Sequence, residues 1–193
     1  MTQAALTVGV LADTHLPYRL KALPEQIKEI FKDVDLILHA GDVDRLECLS
    51  PLADVAPIYA VRGNVHFGDW SDGGRDLPLT VELTLAGRNV ILTHGHLTGW
   101  RGWVSKVPHL LFYDILRPRL GALNHITIRH LARQHPQADV VVFGHTHAAC
   151  CLRRNGTLFF NPGPVATVRE QVPSVGLLRF SPETVTGRIV PLR

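Results

Sequence analysis

The sequence predicts an α/β protein in which two mixed β-sheets pack face to face between helices, a four-layer αββα sandwich with one helical insertion. Three observations lead to this fold class. Short apolar runs alternate with amphipathic segments in the first half of the chain. A hairpin and closely spaced short strands follow in the second half. Several apolar runs end at polar segments, as the strands of α/β sheets do where their ligand-binding loops begin.

The first half alternates strand and helix. Buried strands are predicted over residues 6–12, 36–40 and 57–61. Each of these runs is apolar throughout, which is typical of a strand covered on both faces. Pro24 is expected to open a helix in which Ile27, Ile30 and Phe31 share one face, and a short helix is expected over about 45–54. This order indicates parallel strands joined by right-handed crossovers.

The second half is richer in strands. Residues 79–85 alternate in polarity and 90–92 are apolar, so we expect a hairpin with its turn at 86–89. Another buried strand is predicted over 139–143. Further short strands, separated by turn sequences such as Asn155-Gly156, are predicted over residues 150–153, 158–160, 175–180 and 185–190.

Length and composition predict one globular domain over residues 1–193. The chain has 46% hydrophobic and 19% charged residues, and no repeat or linker divides it. Its apolar runs fall short of the ~20 residues that cross a bilayer, and residues 1–5 lack the basic start of a signal peptide. We therefore expect a cytoplasmic protein with no membrane partner. Three cysteines, two of them adjacent, provide neither a disulfide framework nor a zinc site.

Five polar segments, each at the end of an apolar run, supply the candidate metal ligands. These ligands are Asp13, His15, Asp42, Asn64, His94, His145 and His147. Loops at the carboxyl ends of strands converge in α/β sheets, so we expect the seven side chains to meet. Carboxylate, amide and imidazole groups together favour Mn²⁺, Fe²⁺, Co²⁺, Ni²⁺ or Zn²⁺ over Mg²⁺ and Ca²⁺.

The spacing Asp13-x-His15, Gly41-Asp42, Gly63-Asn64, His94-Gly95-His96 and Gly144-His145-x-His147 resembles the motifs of the calcineurin-like metallophosphoesterases. The length resembles that of the small stand-alone bacterial and archaeal phosphodiesterases of that superfamily. The resemblance implies two divalent transition-metal ions per chain, with manganese as the first choice and iron, zinc, nickel or cobalt as alternatives. It implies one ion on Asp13, His15, Asp42 and His147, and a second on Asp42, Asn64, His94 and His145, with Asp42 bridging. A hydroxide between the ions would attack the phosphodiester.

The residue that protonates the leaving group is left open. Many superfamily members place a histidine directly after the asparagine, whereas this chain has Val65 there and His66 one position later. His66 and His96 are the candidate catalytic residues, and water is the alternative. Because a proton donor contributes ~10²–10⁴-fold, a chain without one should favour substrates with good leaving groups. His39, in the second predicted strand, is expected either to orient a metal ligand or to pack in the core.

Residues 97–135 are read as a basic helical insertion. They hold six basic side chains and one acid, a net charge of +5, so the rest of the chain sums to −2 of the total +3. An apolar stripe over 104–115 predicts one helix, and Leu123, Ile126 and Leu131 predict a second that ends before Pro136. We interpret the insertion as a cap over the metal site, and the alternative is a hairpin that packs on the domain.

These features predict a phosphodiesterase that hydrolyses a small organic or nucleotide substrate. The alternative is a nuclease, since Trp100, Arg101 and Trp103 interleave aromatic and basic side chains as nucleic-acid sites do. A third class is a non-catalytic scaffold, as in the retromer subunit of similar fold. The apolar helices of the insertion also leave a homodimer open.

Overall fold

The protein is described by a computed structural model over residues 5–64, 76–96, 120–167 and 171–193. Within these ranges the strands are β1 (Leu6–Leu11), β2 (Leu36–His39), β3 (Ile58–Ala60), β4 (Thr80–Leu85), β5 (Arg88–Thr93), β6 (Val140–Val142), β7 (Cys150–Arg154), β8 (Thr157–Asn161), β9 (Ser174–Phe180) and β10 (Val185–Pro191). The helices are α1 (Gln26–Phe31), α2 (Ser50–Ala53) and α3 (Leu120–Gln134), and a 3₁₀ turn (Leu46–Leu49) precedes α2.

The strands form two five-stranded sheets, both mixed. The first has the order β10-β9-β1-β2-β3 and the second the order β4-β5-β6-β8-β7. In the first sheet β1, β2 and β3 are parallel, while β9 and β10 are antiparallel to their neighbours. In the second sheet β5, β6 and β8 are parallel, with β4 and β7 as antiparallel edges. The predicted pair of mixed sheets is confirmed.

The core is divided into three layers by the two sheets. Val8 and Val142 belong to the apolar cluster between the sheets. On the outer face of the first sheet, Phe31 of α1 packs with Ile37 of β2, and α3 covers the second sheet in the same way. Full burial of one such side chain contributes about 1.5–3 kcal/mol. The layer order is therefore helix, sheet, sheet, helix, and the predicted sandwich is confirmed.

The hairpin turn between β4 and β5 is tighter than predicted. Only Ala86 and Gly87 form that turn, with φ of 47° and 73°, and Arg88 already pairs with Leu85. The four-residue turn was wrong because two residues with positive φ close a hairpin by themselves. The predicted Asn155-Gly156 turn between β7 and β8 is confirmed, with φ of 49° and 88°.

Two helices of the first half are shorter than the sequence predicted. The carbonyl of Pro24 accepts a hydrogen bond from the Ile27 N–H at 3.0 Å, and α1 begins only at Gln26. The segment predicted as a helix over about 45–54 is divided into the 3₁₀ turn and α2. The first of these helices therefore starts two residues after Pro24, whereas Pro51 lies within the first turn of α2.

The structure describes the C-terminal part of the segment predicted as an insertion. Helix α3 connects β5 to β6, and because these neighbours are parallel the chain needs a crossover between them. The buried face of α3 consists of Asn124, Ile128 and Leu131, whereas Ile126 is 66% exposed. The predicted helix that ends before Pro136 is confirmed, although Ile126 lies on its exposed side, and this part of the segment packs on the sheet. The predicted helix over 104–115 lies outside the described residues. In the described part of the chain, no helix is long and apolar enough to span a membrane.

Candidate metal centre

The seven predicted ligands lie in five loops that follow β1, β2, β3, β5 and β6. Backbone hydrogen bonds join these loops to one another. The Asp13 N–H donates to the Gly41 carbonyl at 3.0 Å and links the loops after β1 and β2. The Gly144 N–H donates to the His94 carbonyl at 3.3 Å and links the loops after β5 and β6. The carboxyl ends of both sheets thus contribute to one site.

Several ligand loops depend on residues in the left-handed region of backbone conformation. Positive φ angles occur at Asp13 (52°), His15 (45°), Asp42 (59°), His145 (68°) and His147 (51°). L-residues seldom adopt this conformation, and each such residue costs of the order of 1–3 kcal/mol. Strain of this kind concentrates at functional sites, where the surrounding structure holds it in place.

The first set of ligands forms a compact, largely buried cluster. One ligand atom from each of Asp13, His15, Asp42 and His147 lies within 4.8 Å of the other three. Nε2 of His15 is 3.4 Å from Oδ2 of Asp42, and Nε2 of His147 is 3.5 Å from Oδ1 of Asp13. Two carboxylates and two imidazoles at these distances match the donors of a transition-metal site.

The second set of ligands lies against the other oxygen of Asp42. Nε2 of His94 is 3.4 Å from Oδ1 of Asp42, and Nδ1 of the same ring contacts the Ala40 carbonyl at 2.7 Å. That contact requires Nδ1 to carry the proton, so it orients the ring with Nε2 towards the carboxylate. Nδ2 of Asn64 lies 3.0 Å from Nδ1 of His145, whose ring centroid is 5.2 Å from that of His94.

Gly63 allows the loop after β3 to approach the shared carboxylate. A Cβ atom at this position would overlap Oδ1 and the backbone nitrogen of Asp42. The next residue, Asn64, donates its backbone N–H to Oδ1 of Asp42 at 2.7 Å. The glycine therefore permits a hydrogen bond that fixes the Asp42 carboxylate between the two sets of ligands.

Burial and mutual charge shift the pKa values of the cluster in opposite directions. Burial raises the pKa of Asp13, although His147 and His94 act against this effect. Burial opposes a charge on His94, yet the carboxylates of Asp42 and Asp13 raise its pKa to about 9. Burial and the neighbouring His94 lower the pKa of His145 to about 3. At neutral pH the metal-free cluster therefore contains a charged and a neutral imidazole side by side.

The residues present fit divalent cations. Buried Oδ2 of Asp13 and buried Oδ1 of Asn64 have no hydrogen-bond partner among the described residues. Buried oxygens are almost always paired in native proteins, so two unsatisfied acceptors in one cluster point to a missing cationic partner. Carboxylate, amide and imidazole donors are the set that borderline divalent ions accept.

His39 lies beneath the site and holds the loops in place. Its Nδ1 accepts the Gly41 N–H at 3.2 Å, so Nε2 carries the proton that it donates to Oγ1 of Thr14 at 3.1 Å. The Thr14 hydroxyl donates in turn to the Asp42 carbonyl at 3.2 Å. Burial, followed by the charge on His94, lowers the pKa of His39 to about 3. This neutral histidine positions the ligand loops through their backbone; the sequence analysis expected it either to orient a metal ligand or to pack in the core.

Sequence reasoning missed other supporting residues. Asp44 is buried, and its Oδ2 lies 3.8 Å from Nδ1 of His15. Its carboxylate thus faces one ring nitrogen of His15, while Asp42 faces the other. Its only sequence signal is its position two residues after Asp42. Asn124 and Asn161 both hydrogen-bond to Thr146, from α3 and from the end of β8. The three residues are far apart in sequence, so no local pattern shows that they meet.

The structure describes only one of the two candidate catalytic histidines. His96 lies beside the second set, with its ring centroid 5.5 Å from that of His94 and 6.2 Å from that of His145. His66 lies outside the described residues, as does Val65. The role of His66 therefore stays a prediction.

Comparison with known proteins extends over nearly the whole chain. Residues 6–183 match the family model described as the calcineurin-like phosphoesterase superfamily domain. A protein of Methanothermobacter thermautotrophicus named probable metallophosphoesterase is 30% identical over 187 residues, which are 96% of this chain and 92% of the relative. The structure of Vacuolar Protein Sorting 29 from Cryptosporidium parvum has a TM-score of 0.70 at 22% identity, covering 98% of this chain and 92% of that one. The structure of an archaeal phosphodiesterase has a TM-score of 0.64 at 22% identity and covers 97% of this chain and 100% of that one.

Proposed function

The chain belongs to the calcineurin-like phosphoesterase superfamily, and on that basis we propose that it hydrolyses phosphodiester bonds with two bound metal ions. The substrate of this proposal is a small organic or nucleotide diester. The archaeal phosphodiesterase, similar in fold over almost all of both chains, supports this reaction class. Manganese is the proposed native metal, because a mixed carboxylate, amide and imidazole set suits it.

The position of Asp42 is the single observation that carries the proposal. Its Oδ2 faces His15 and its Oδ1 faces His94, each at 3.4 Å, so one carboxylate lies between two separate groups of donors. A carboxylate in that position can serve as a ligand that bridges two metal ions. We assign Asp13, His15, Asp42 and His147 to one ion, and Asp42, Asn64, His94 and His145 to the other.

Bound in this way, the two ions would activate a water molecule and neutralise the charge of the phosphoryl group. The protein's own residues then have to interact with the charged ions and substrate and keep other water molecules out of the site. The Asp13, His15, Asp42 and His94 side chains are fully or almost fully buried, so their interactions with a charged group are weakly screened. We propose His96 as the proton donor to the leaving group, because among the described histidines it lies next to the second set without belonging to it.

A substrate panel tests the proposed reaction. Purified protein supplemented with Mn²⁺ is assayed on bis(4-nitrophenyl) phosphate and on 4-nitrophenyl phosphate, which share a leaving group. We expect faster turnover of the diester. A strong preference for the monoester would assign the chain to phosphomonoester hydrolysis, and inactivity on every diester would favour a binding scaffold. Single-stranded DNA belongs in the panel, because a nuclease should bind it with a log–log salt slope of ~0.7 per neutralised phosphate.

The metal assignment is tested by two matched substitutions. Asp42→Asn keeps an acceptor for the Asn64 N–H but removes the charge between the two ligand sets. Asp139→Asn is the control, since Asp139 accepts a similar bond from the Asn89 N–H at 2.8 Å. Asp139 precedes β6, whereas the candidate ligands His145 and His147 follow it. Elemental analysis should find close to two ions per chain in the wild type and in Asp139→Asn, and little metal in Asp42→Asn. Undiminished metal in Asp42→Asn would reject the bridging role.

A further inference from the structure

A buried polar network ties α3 to the loop of residues 144–148, here called the histidine loop. Oδ1 of Asn124 accepts a hydrogen bond from Oγ1 of Thr146 at 2.6 Å, and Nδ2 of Asn124 donates to the Ala148 carbonyl at 3.0 Å. Nδ2 of Asn161 donates to the same Thr146 oxygen at 3.0 Å. The Thr146 hydroxyl is thus both donor and acceptor, and two distant elements hold it from different directions.

Asn124 occupies a core position where an apolar side chain would be expected. It is 5% exposed and lies on the buried face of α3 one turn before Ile128, which packs against the second sheet. An amide in such a position stabilises a protein only when its donor and acceptor are satisfied. Both groups of Asn124 are satisfied, and both partners belong to the histidine loop. The amide therefore links the helix to that loop.

The histidine loop needs such support because of its backbone. His145 and His147, on either side of Thr146, have φ of 68° and 51°. Residues held in this conformation persist only where their surroundings fix them. His145 contacts Asn64 in the second set of ligands, and His147 faces Asp13 in the first. A displacement of Thr146 would therefore disturb one ligand in each set.

We propose that Asn124 is a positioning residue for the sites of both metal ions. It fixes Thr146, and Thr146 holds one histidine ligand of each ion on either side. The inference rests on the proposed function, since it requires His145 and His147 to bind metal. Outer partners that orient metal ligands typically contribute 10–100-fold to metal affinity. Loss of the Asn124 amide should therefore weaken Mn²⁺ binding by about 10–100-fold.

The test compares Mn²⁺ affinity in metal-free full-length variants by calorimetric titration. Asn124→Leu keeps the number and branching of the side-chain heavy atoms and removes both hydrogen bonds. Ile128→Ala is the control, because it lies on the same buried face of α3, loses core packing and has no bond to the histidine loop. We expect both variants to have a lower Tm, but only Asn124→Leu to lose Mn²⁺ affinity.

Two variants of Thr146 examine the same link from its other end. Thr146→Val removes the hydroxyl at nearly constant volume, and Thr146→Ser keeps it. We expect Thr146→Val to weaken Mn²⁺ binding to a similar extent, Thr146→Ser to retain it, and Asn124→Leu/Thr146→Val to be no weaker than the worse single variant. If Asn124→Leu does not fold, wild-type Mn²⁺ affinity in Thr146→Val still overturns the role of Asn124, because that variant also removes the Asn124–Thr146 hydrogen bond.

The outcomes separate the inference from the proposed function. Wild-type affinity in Thr146→Val, or an equal loss of affinity in Ile128→Ala and Asn124→Leu, overturns the role of Asn124 while metal binding by the wild type stands. A wild-type protein that binds no Mn²⁺ overturns the proposed metal centre, and the positioning role fails with it.

Discussion

Gly41→Ala is the substitution for which the structure gives the sharpest expectation. Gly41 lies directly before Asp42 and has φ of 94°. A Cβ atom there would lie 2.5 Å from Nδ1 and 2.7 Å from Cγ of His94. Nδ1 is also the atom that contacts the Ala40 carbonyl at 2.7 Å. The ring would have to leave that carbonyl, and its Nε2 would move away from Asp42.

Gly156→Ala provides a matched control for the backbone part of the effect. Gly156 has φ of 88°, and a Cβ atom built there meets nothing within 4 Å. A left-handed conformation costs an L-residue roughly 1–2 kcal/mol, and overpacking typically adds about 1–3 kcal/mol. We therefore expect Gly156→Ala to lower the free energy of unfolding by roughly 1–2 kcal/mol and Gly41→Ala to lower it by roughly 2–5 kcal/mol.

Urea denaturation in the presence of a chelator measures these losses without a contribution from bound metal. Elemental analysis after equilibration with Mn²⁺ then measures the site itself. We expect Gly41→Ala to lose metal because His94 is displaced, and Gly156→Ala to keep the wild-type content. Equal losses of stability together with equal metal contents would refute the argument that the Gly41 backbone and the His94 ring are in tight contact.

Two further predictions concern the supports of the ligand loops. His39 has a pKa of about 3 instead of 6.5, so between these values the unfolded chain binds a proton that the folded protein does not. The free energy of unfolding of the metal-free protein should therefore fall as the pH falls through this window, by up to ~1.4 kcal/mol per pH unit from this group. Urea titrations of His39→Gln should show a shallower pH dependence. An unchanged slope would contradict the view that His39 is held neutral in the folded protein. Asp44→Asn removes the charge behind His15 and should weaken Mn²⁺ binding by ~10-fold or more in calorimetry, whereas unaltered affinity would show that the carboxylate does not orient that ring.

The positions of the candidate ligands were predictable from the sequence because their signal is local. Asp13 follows an apolar strand by two residues, and His94 follows another directly, so strand identification already places them at one edge of the fold. The supports of the ligands depend on tertiary contacts that no spacing reveals. Asn124 illustrates this difference, since a polar residue on the buried face of α3 interrupts the apolar periodicity. Periodicity therefore favoured Ile126, although docking of the helix on Thr146 leaves that side chain in solvent.

The hydrogen-bond network of His39 and the network of Thr146 act on different loops and share no residue. The His39 and Thr14 pair holds the loops after β1 and β2, whereas Asn124 and Asn161 hold the loop after β6. Changes without shared partners usually add in free energy. Loss of one support should therefore leave the other loops in place, and the damage to metal binding should be graded. On the proposed assignment, abrupt loss is expected at Asp42, because its carboxylate lies between His15 and His94 and belongs to both sets of ligands.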